Sequence, residues 1–198
     1  SSAVLLMSPM VLSGEADDQA KPKETKQALR ALGMTHAATR VIALAPHLVE
    51  AMYTVGAGDK LLAAVSHSDY PKAALALPRV GNYTNINIES VLRFKPDLVL
   101  AWRSGNGPKV ISKLRQLGIP VYVSEPGNLL SIAAMLKDVG TLVDGKNTAR
   151  ARNAFLSEYE TLRAKYQNKK PVSVFYQVWN KPLQTLSNKN IERNVINL

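Results

Sequence analysis

The segment Asn87–Trp102, "NIESVLRFKPDLVLAW", decides how the rest of the chain is read. Its first half opens like a helix. Asn87 is a candidate N-cap, because a short amide side chain can accept a hydrogen bond from an otherwise orphaned N–H of the first turn. Its second half, "DLVLAW", is an unbroken apolar run, the pattern of a strand buried on both faces. Working outward, the same two textures alternate. "RVIALAP" (40–46) and "KLLAAVS" (60–66) read as strands before this segment, and "IPVYVSE" (119–125) as one after it. Between them, "HLVEAMYTVGAG" (47–58) has helical spacing, with Leu48, Met52 and Val55 on one face and Gly56 as the stop. "PKVISKLRQLG" (108–118) and "NLLSIAAMLKDVGTLV" (128–143) are further helices. Buried strands alternating with amphipathic helices predict an α/β fold, a Rossmann-like parallel sheet covered on both faces.

The two ends read differently. "SSAVLLMSPMVLSGEA" (1–16) is apolar from Ala3 to Leu12 and then small and polar, like the core and cleavage region of a secretory signal peptide. Residues 13–39 read as a polar arm with one short helical patch at Lys26–Leu32. Asn147–Asn168 predicts a helix of about 22 residues, roughly 33 Å long, with Phe155, Tyr159, Leu162 and Tyr166 as a packing stripe. "PVSVFYQV" (171–178) starts a new strand and "NIERNVINL" (190–198) a new helix, so a second α/β unit begins and stops. The expected organisation is therefore 1–38 as signal remnant and arm, 39–146 as an N-terminal ligand-binding lobe, 147–168 as a long helix, and 171–198 as the truncated start of a C-terminal lobe.

The net charge of +10, from 25 basic and 15 acidic side chains, invites a nucleic-acid reading. The basic residues are scattered, however, and the densest group, Lys165, Lys169 and Lys170, suits the C-terminal end of a helix dipole. With no reading motif beside the charge, neither nucleic acid nor stable membrane insertion is expected. The chain has no cysteine, which excludes disulfides and thiolate metal sites.

In open parallel sheets ligands bind beyond the carboxyl ends of the strands. Those ends here carry "APH" (45–47), "SHSDYP" (66–71), "AWRSGN" (101–106) and "SEPGN" (124–128). They offer no glycine-rich phosphate turn and no G-x-S-x-G elbow, Ser104 being the nearest serine. His36, His47 and His67 are not at metal-ligand spacing. No catalytic role and no metal or cofactor is expected. What the ends do offer is His67, Asp69, Tyr70, Tyr83, Trp102 and Arg103, rings with a few polar groups that suit a large planar or amphipathic ligand.

"RVIALAP", "HSDYP", "NIESVLRFKPDLVLAW" and "LRQLGIPVYV" together resemble the first lobe of the class III periplasmic substrate-binding proteins, whose two lobes are joined by one long helix. "SDYP" with "KPDLVLAWRSGN" is similar to the cobalamin (vitamin B12) binders among them. The resemblance implies a substrate-binding component of an ABC importer, carrying cobalamin as transported ligand to the permease subunits. It implies cleft roles for His67, Tyr70, Tyr83, Trp102, Arg103 and Trp179, with Phe175 a further candidate, and permease docking for Glu89. Tyr83 matches a position usually tryptophan in cobalamin binders and His67 one held by a tyrosine, and an imidazole there could approach a corrinoid cobalt axially. Two alternatives stay open: a haem or iron-siderophore binder of the same family, and a truncated α/β enzyme. With most of the second lobe missing, the 198-residue chain is expected to bind weakly.

Overall fold

The computed structural model describes residues 15–170 and 177–185, with the backbone alone for 15–22, 178–179 and 183–185. In chain order the elements are α1 (Glu15–Ala31), β1 (Val41–Ala43), α2 (Pro46–Thr54), β2 (Leu61–Ala63), β3 (Gly81–Asn82), β4 (Asn85–Ile86), α3 (Ile88–Arg93), β5 (Leu98–Trp102), α4 (Arg103–Gln116), β6 (Val121–Ser124), α5 (Leu129–Val143), α6 (Thr148–Tyr166), β7 (Gln177–Asn180) and β8 (Leu183–Thr185). The four expected strands form one parallel sheet in the order β2-β1-β5-β6.

Strand alternation distributes the core. Val41, Ala43, Leu98 and Leu100 point to the face covered by α1, α2 and α5, where Leu48, Met52, Val55 and Val139 join them. Ile42, Val99 and Ala101 point the other way, toward Val91 of α3 and Ile111 and Leu114 of α4. Both faces are dry, which is why β1 and β5 carry no polar residue before Trp102. Each fully buried Leu, Ile or Val side chain contributes about 1.5–3 kcal/mol.

The local signals work as chemistry requires. The Asn87 side chain accepts from the Ser90 N–H at 2.9 Å and starts α3. Asn128 and Ser131 form a reciprocal capping box at α5. The Asp97 carboxylate accepts from the Thr39 N–H (2.9 Å), the Thr39 hydroxyl (3.0 Å) and the Arg40 N–H (2.8 Å), pinning the entry of β1 to the entry of β5.

Three expectations change. The N-terminal arm is not peripheral: α1 runs over 17 residues, Leu29, Met34 and Ala38 are buried in the main core, and Lys137 of α5 pairs with Glu24 at 2.8 Å. Its apolar positions are too widely spaced among lysines to have stood out. The helix expected from Pro108 is α4, and it begins at Arg103, with a kink at Gly107 (φ 73°). The packing stripe of α6 is only partly packed. Phe155 reaches the core, no α6 residue is fully buried, and Tyr166 is exposed. The strand expected at 171–178 falls mainly outside the described residues. Within the described 177–185, β7 pairs with β8 as an antiparallel hairpin, while Phe175 and 190–198 lie outside the described residues.

Candidate functional site

The strand order makes the sheet change its direction of growth between β1 and β5. From β1 the chain crosses through α2 on one face to β2; from β5 it crosses through α4 on the other face to β6. Such diverging connections leave a crevice at the carboxyl ends of the two strands, the place where open α/β sheets bind ligands.

Trp102 closes β5, in register with Ser124 of β6, and stands at this crevice. His47, on the first turn of α2 just past β1, meets its ring edge to face at 5.7 Å. The ring of Tyr83, in the turn of the β3–β4 hairpin, also lies 5.7 Å from the indole, tilted by 45°. That hairpin needs Gly81 (φ 122°), since a Cβ there would lie 2.2 Å from the Asn85 carbonyl oxygen. Behind Trp102, Gly105 allows close approach of α4: a Cβ would fall 2.1 Å from Cε3 of the indole.

Asn106 ties these parts together from below. Its Oδ1 accepts from the Trp102 N–H at 2.7 Å, and its Nδ2 donates to the carbonyls of Leu44 at 2.8 Å and Tyr83 at 2.7 Å. Glu125 accepts from the Ser104 N–H at 2.8 Å and from its hydroxyl at 2.7 Å, fixing the start of α4. His47 Nε2 is buried and has no hydrogen-bond partner among the described residues. Burial pushes its imidazole below the ordinary value, against an opposing pull from Glu125. The ring is therefore neutral at neutral pH and adds no charge to the aromatic floor.

The other expected residues stand apart from these ring contacts. His67 sits past β2 with φ 66°, a left-handed conformation that histidine adopts more readily than most residues. Tyr70 is 70% exposed, and Arg103 opens α4 with its side chain in solvent. Among the described residues no hydrogen bond, ion pair or ring contact joins His67, Tyr70 or Arg103 to the Tyr83–Trp102 pair. The loop bearing His67 and Tyr70 is held by Arg79, whose guanidinium donates to the carbonyls of Ser68, Ala74 and Leu77 at 3.0 Å and lies 3.9 Å from Asp69. Glu89 is exposed in the first turn of α3. Trp179 falls in β7, where only the backbone is described.

The sequence did not mark His47, Arg79, Asn106 or Glu125 as members of the site. His47 had a signal, standing in "APH" at the end of the first strand. Asn106 and Glu125 act on main-chain groups far along the chain, which no local pattern records. The arrangement offers edge-to-face and tilted rings with a few polar groups at their rim, and among the described residues no group of three or more His, Asp or Glu side chains gathers to hold a metal.

Known proteins resemble the chain over most of its length. The vitamin B12-binding protein of Vibrio parahaemolyticus is 42% identical over 159 residues, spanning 80% of this chain and 58% of that relative. That of Yersinia pestis is 38% identical over 163 residues, or 82% and 58%. The crystal structure of the periplasmic vitamin B12 binding protein BtuF of Vibrio cholerae matches with a TM-score of 0.75 at 40% identity, over 80% of this chain and 62% of that one. A periplasmic heme binding protein from Pseudomonas aeruginosa matches with a TM-score of 0.58 at 25% identity, over 66% and 46%. The chain thus spans 58% of the length of both curated relatives. No helix among the described residues is long and apolar enough to cross a membrane. A family model described as periplasmic binding protein matches residues 41–187, and the chain belongs to that family.

Proposed function

We propose that the chain is the ligand-binding part of an ABC importer, capturing cobalamin in the periplasm and delivering it to a membrane permease, with no catalysis of its own. The observation that carries this reading is the Tyr83–Trp102 ring pair at the crevice between β1 and β5. A corrin is broad and flat with an amide-bearing rim, so it gains from apolar ring contact and needs few hydrogen bonds. Relatives named as vitamin B12-binding proteins, 38–42% identical, support corrinoid over haem, for which the similarity falls to 25%. In this reading residues 39–146 are the first lobe and 147–168 the inter-lobe helix. His67, Tyr70 and Arg103 extend the wall, Trp179 faces the ligand from the second lobe, and Glu89 docks on the permease.

Absorbance and tryptophan-quenching titrations of the full-length protein with cyanocobalamin, hemin and ferrichrome test it. Cyanocobalamin is expected to bind with a Kd below about 1 μM and at least tenfold tighter than the other two (~1.4 kcal/mol). Preferred binding of hemin or ferrichrome would overturn the assignment, and binding of none would overturn the transport reading.

A further inference from the structure

We infer that Asn106 is a positioning residue of this site: one buried amide that sets the spacing of Trp102 and Tyr83 across the crevice between β1 and β5. The inference rests on the binding reading above but concerns a residue that touches main chain, not ligand. Asn106 is 4% exposed, among the few buried polar residues of the core. A buried amide is costly unless its groups are satisfied, and here each one is used. Oδ1 holds the N–H of Trp102, the last residue of β5; Nδ2 holds the carbonyl just past β1 and the carbonyl of Tyr83 in the β3–β4 turn. These three segments meet nowhere else through a side chain among the described hydrogen bonds. β1 and β5 are joined by ladder pairing up to Ala43 and Leu100 and by the Leu44 N–H to the Leu100 carbonyl. Beyond that point the strands part, and the amide bridges them.

The kink at Gly107 explains how the amide gets there. It separates the turn 103–106 from the body of α4, so Asn106 can turn inward beneath Trp102 while Pro108 onward follows the helix. The two hydrogen-bonding ends of the side chain do different work. The acceptor end fixes the backbone of the indole; the donor end fixes the height of the tyrosine. An aspartate keeps the first and loses the second, setting a carboxylate oxygen against two carbonyls.

The test uses three variants of the chain, Asn106→Asp, Asn106→Ala and, as a control for general loosening of the core, Val91→Ala, which truncates a fully buried side chain of α3. All are made in a Trp179→Phe background so that Trp102 is the sole tryptophan. Near-ultraviolet dichroism and iodide quenching of the apo protein read the ring pair directly. Asn106→Asp and Asn106→Ala are expected to lose most of the coupled Tyr–Trp dichroism and raise the quenching constant at least about twofold, while Val91→Ala changes neither. In the full-length protein both Asn106 variants should also weaken cyanocobalamin binding about fivefold or more, the factor that one net hydrogen bond of typical strength confers. Unchanged ring signals in the Asn106 variants, or equal changes in Val91→Ala, would overturn the inference. Failure of the unsubstituted protein to bind cyanocobalamin would overturn the binding reading instead, and the apo signals would still decide the role of Asn106.

Discussion

Gly105→Ala is the smallest change that displaces the floor of the site without removing any group from it. The added Cβ would stand 2.1 Å from Cε3, 2.6 Å from Cζ3 and 2.8 Å from Cδ2 of Trp102. Ordinary carbon contact begins near 3.5 Å, so the ring edge must retreat by roughly 1.4 Å. Its surroundings are already occupied, with the rings of His47 and Tyr83 each 5.7 Å from its own. Overpacking of this kind costs about 1–3 kcal/mol. Helix propensity offsets up to about 1 kcal/mol of that in the fold, since alanine is the better residue in the first turn of α4. Global stability should therefore fall by no more than about 2 kcal/mol, while the ligand meets a tilted indole. If the full cost falls on binding, affinity for cyanocobalamin drops by about 5- to 150-fold. The assay is a fluorescence titration of the full-length protein beside a thermal melt. Wild-type affinity within about twofold, with unchanged Trp102 emission, would refute the claim that this indole faces the ligand.

Three further outcomes follow from single residues. Partial burial works against the charge of Asp97, but the bonds from Thr39 and Arg40 outweigh it and hold its carboxyl below the ordinary range. A depressed carboxylate contributes stability in full above its unfolded value, near 3.9, and loses it as pH falls through the native value. Asp97→Asn should thus cost about 1–2 kcal/mol at neutral pH, with the gap to wild type closing below about pH 4 in denaturant titrations. His47 has its pKa lowered, chiefly by burial. Its contribution is complete above the unfolded value, about 6.5, and fades as pH falls toward the native one. His47→Phe should accordingly show a shallower loss of stability on acidification from neutrality, and an equal slope in both proteins would contradict its buried, neutral state. In the docking role proposed for Glu89, Glu89→Arg should leave cyanocobalamin affinity within about twofold while cutting uptake by cells that carry a partner permease, because reversing a docking charge repels its partner. Normal uptake would remove Glu89 from the docking surface.

The main sheet was legible because its strands are unbroken apolar runs, and such runs have few other stable homes than a sheet covered on both faces. Asn87 announced α3 by a local bond of three residues' span, and Leu48, Met52 and Val55 are buried as their spacing indicated, with Val49 and Ala51 of α2 buried beside them. Trp102 and Tyr83 could be named because aromatic residues at strand ends are few in this chain. Their meeting at 5.7 Å could not, since it depends on a hairpin whose strands are two residues each. Asn106 was hidden for a related reason. It lies in "RSGNG", which reads as loop, and its amide partners are carbonyls 62 and 23 positions away. The N-terminal helix was underrated because its buried contacts, Leu29 among them, sit singly in a lysine-rich background where no periodic face is visible. Composition and period reveal which elements exist; side-chain bonds to distant main chain decide how the site is set.

The most direct test of the central claim is the Trp102→Ala variant of the full-length protein, titrated with cyanocobalamin. Trp102 is half-buried against His47 and Tyr83 at the end of β5, the position of an anchor in a binding surface. Removing such an aromatic anchor costs about 2 kcal/mol or more, so affinity should fall by about 30-fold or more with little change in the far-ultraviolet spectrum. Affinity within about twofold of wild type would contradict the account, because the ligand would then bind somewhere other than the ring pair at the crevice.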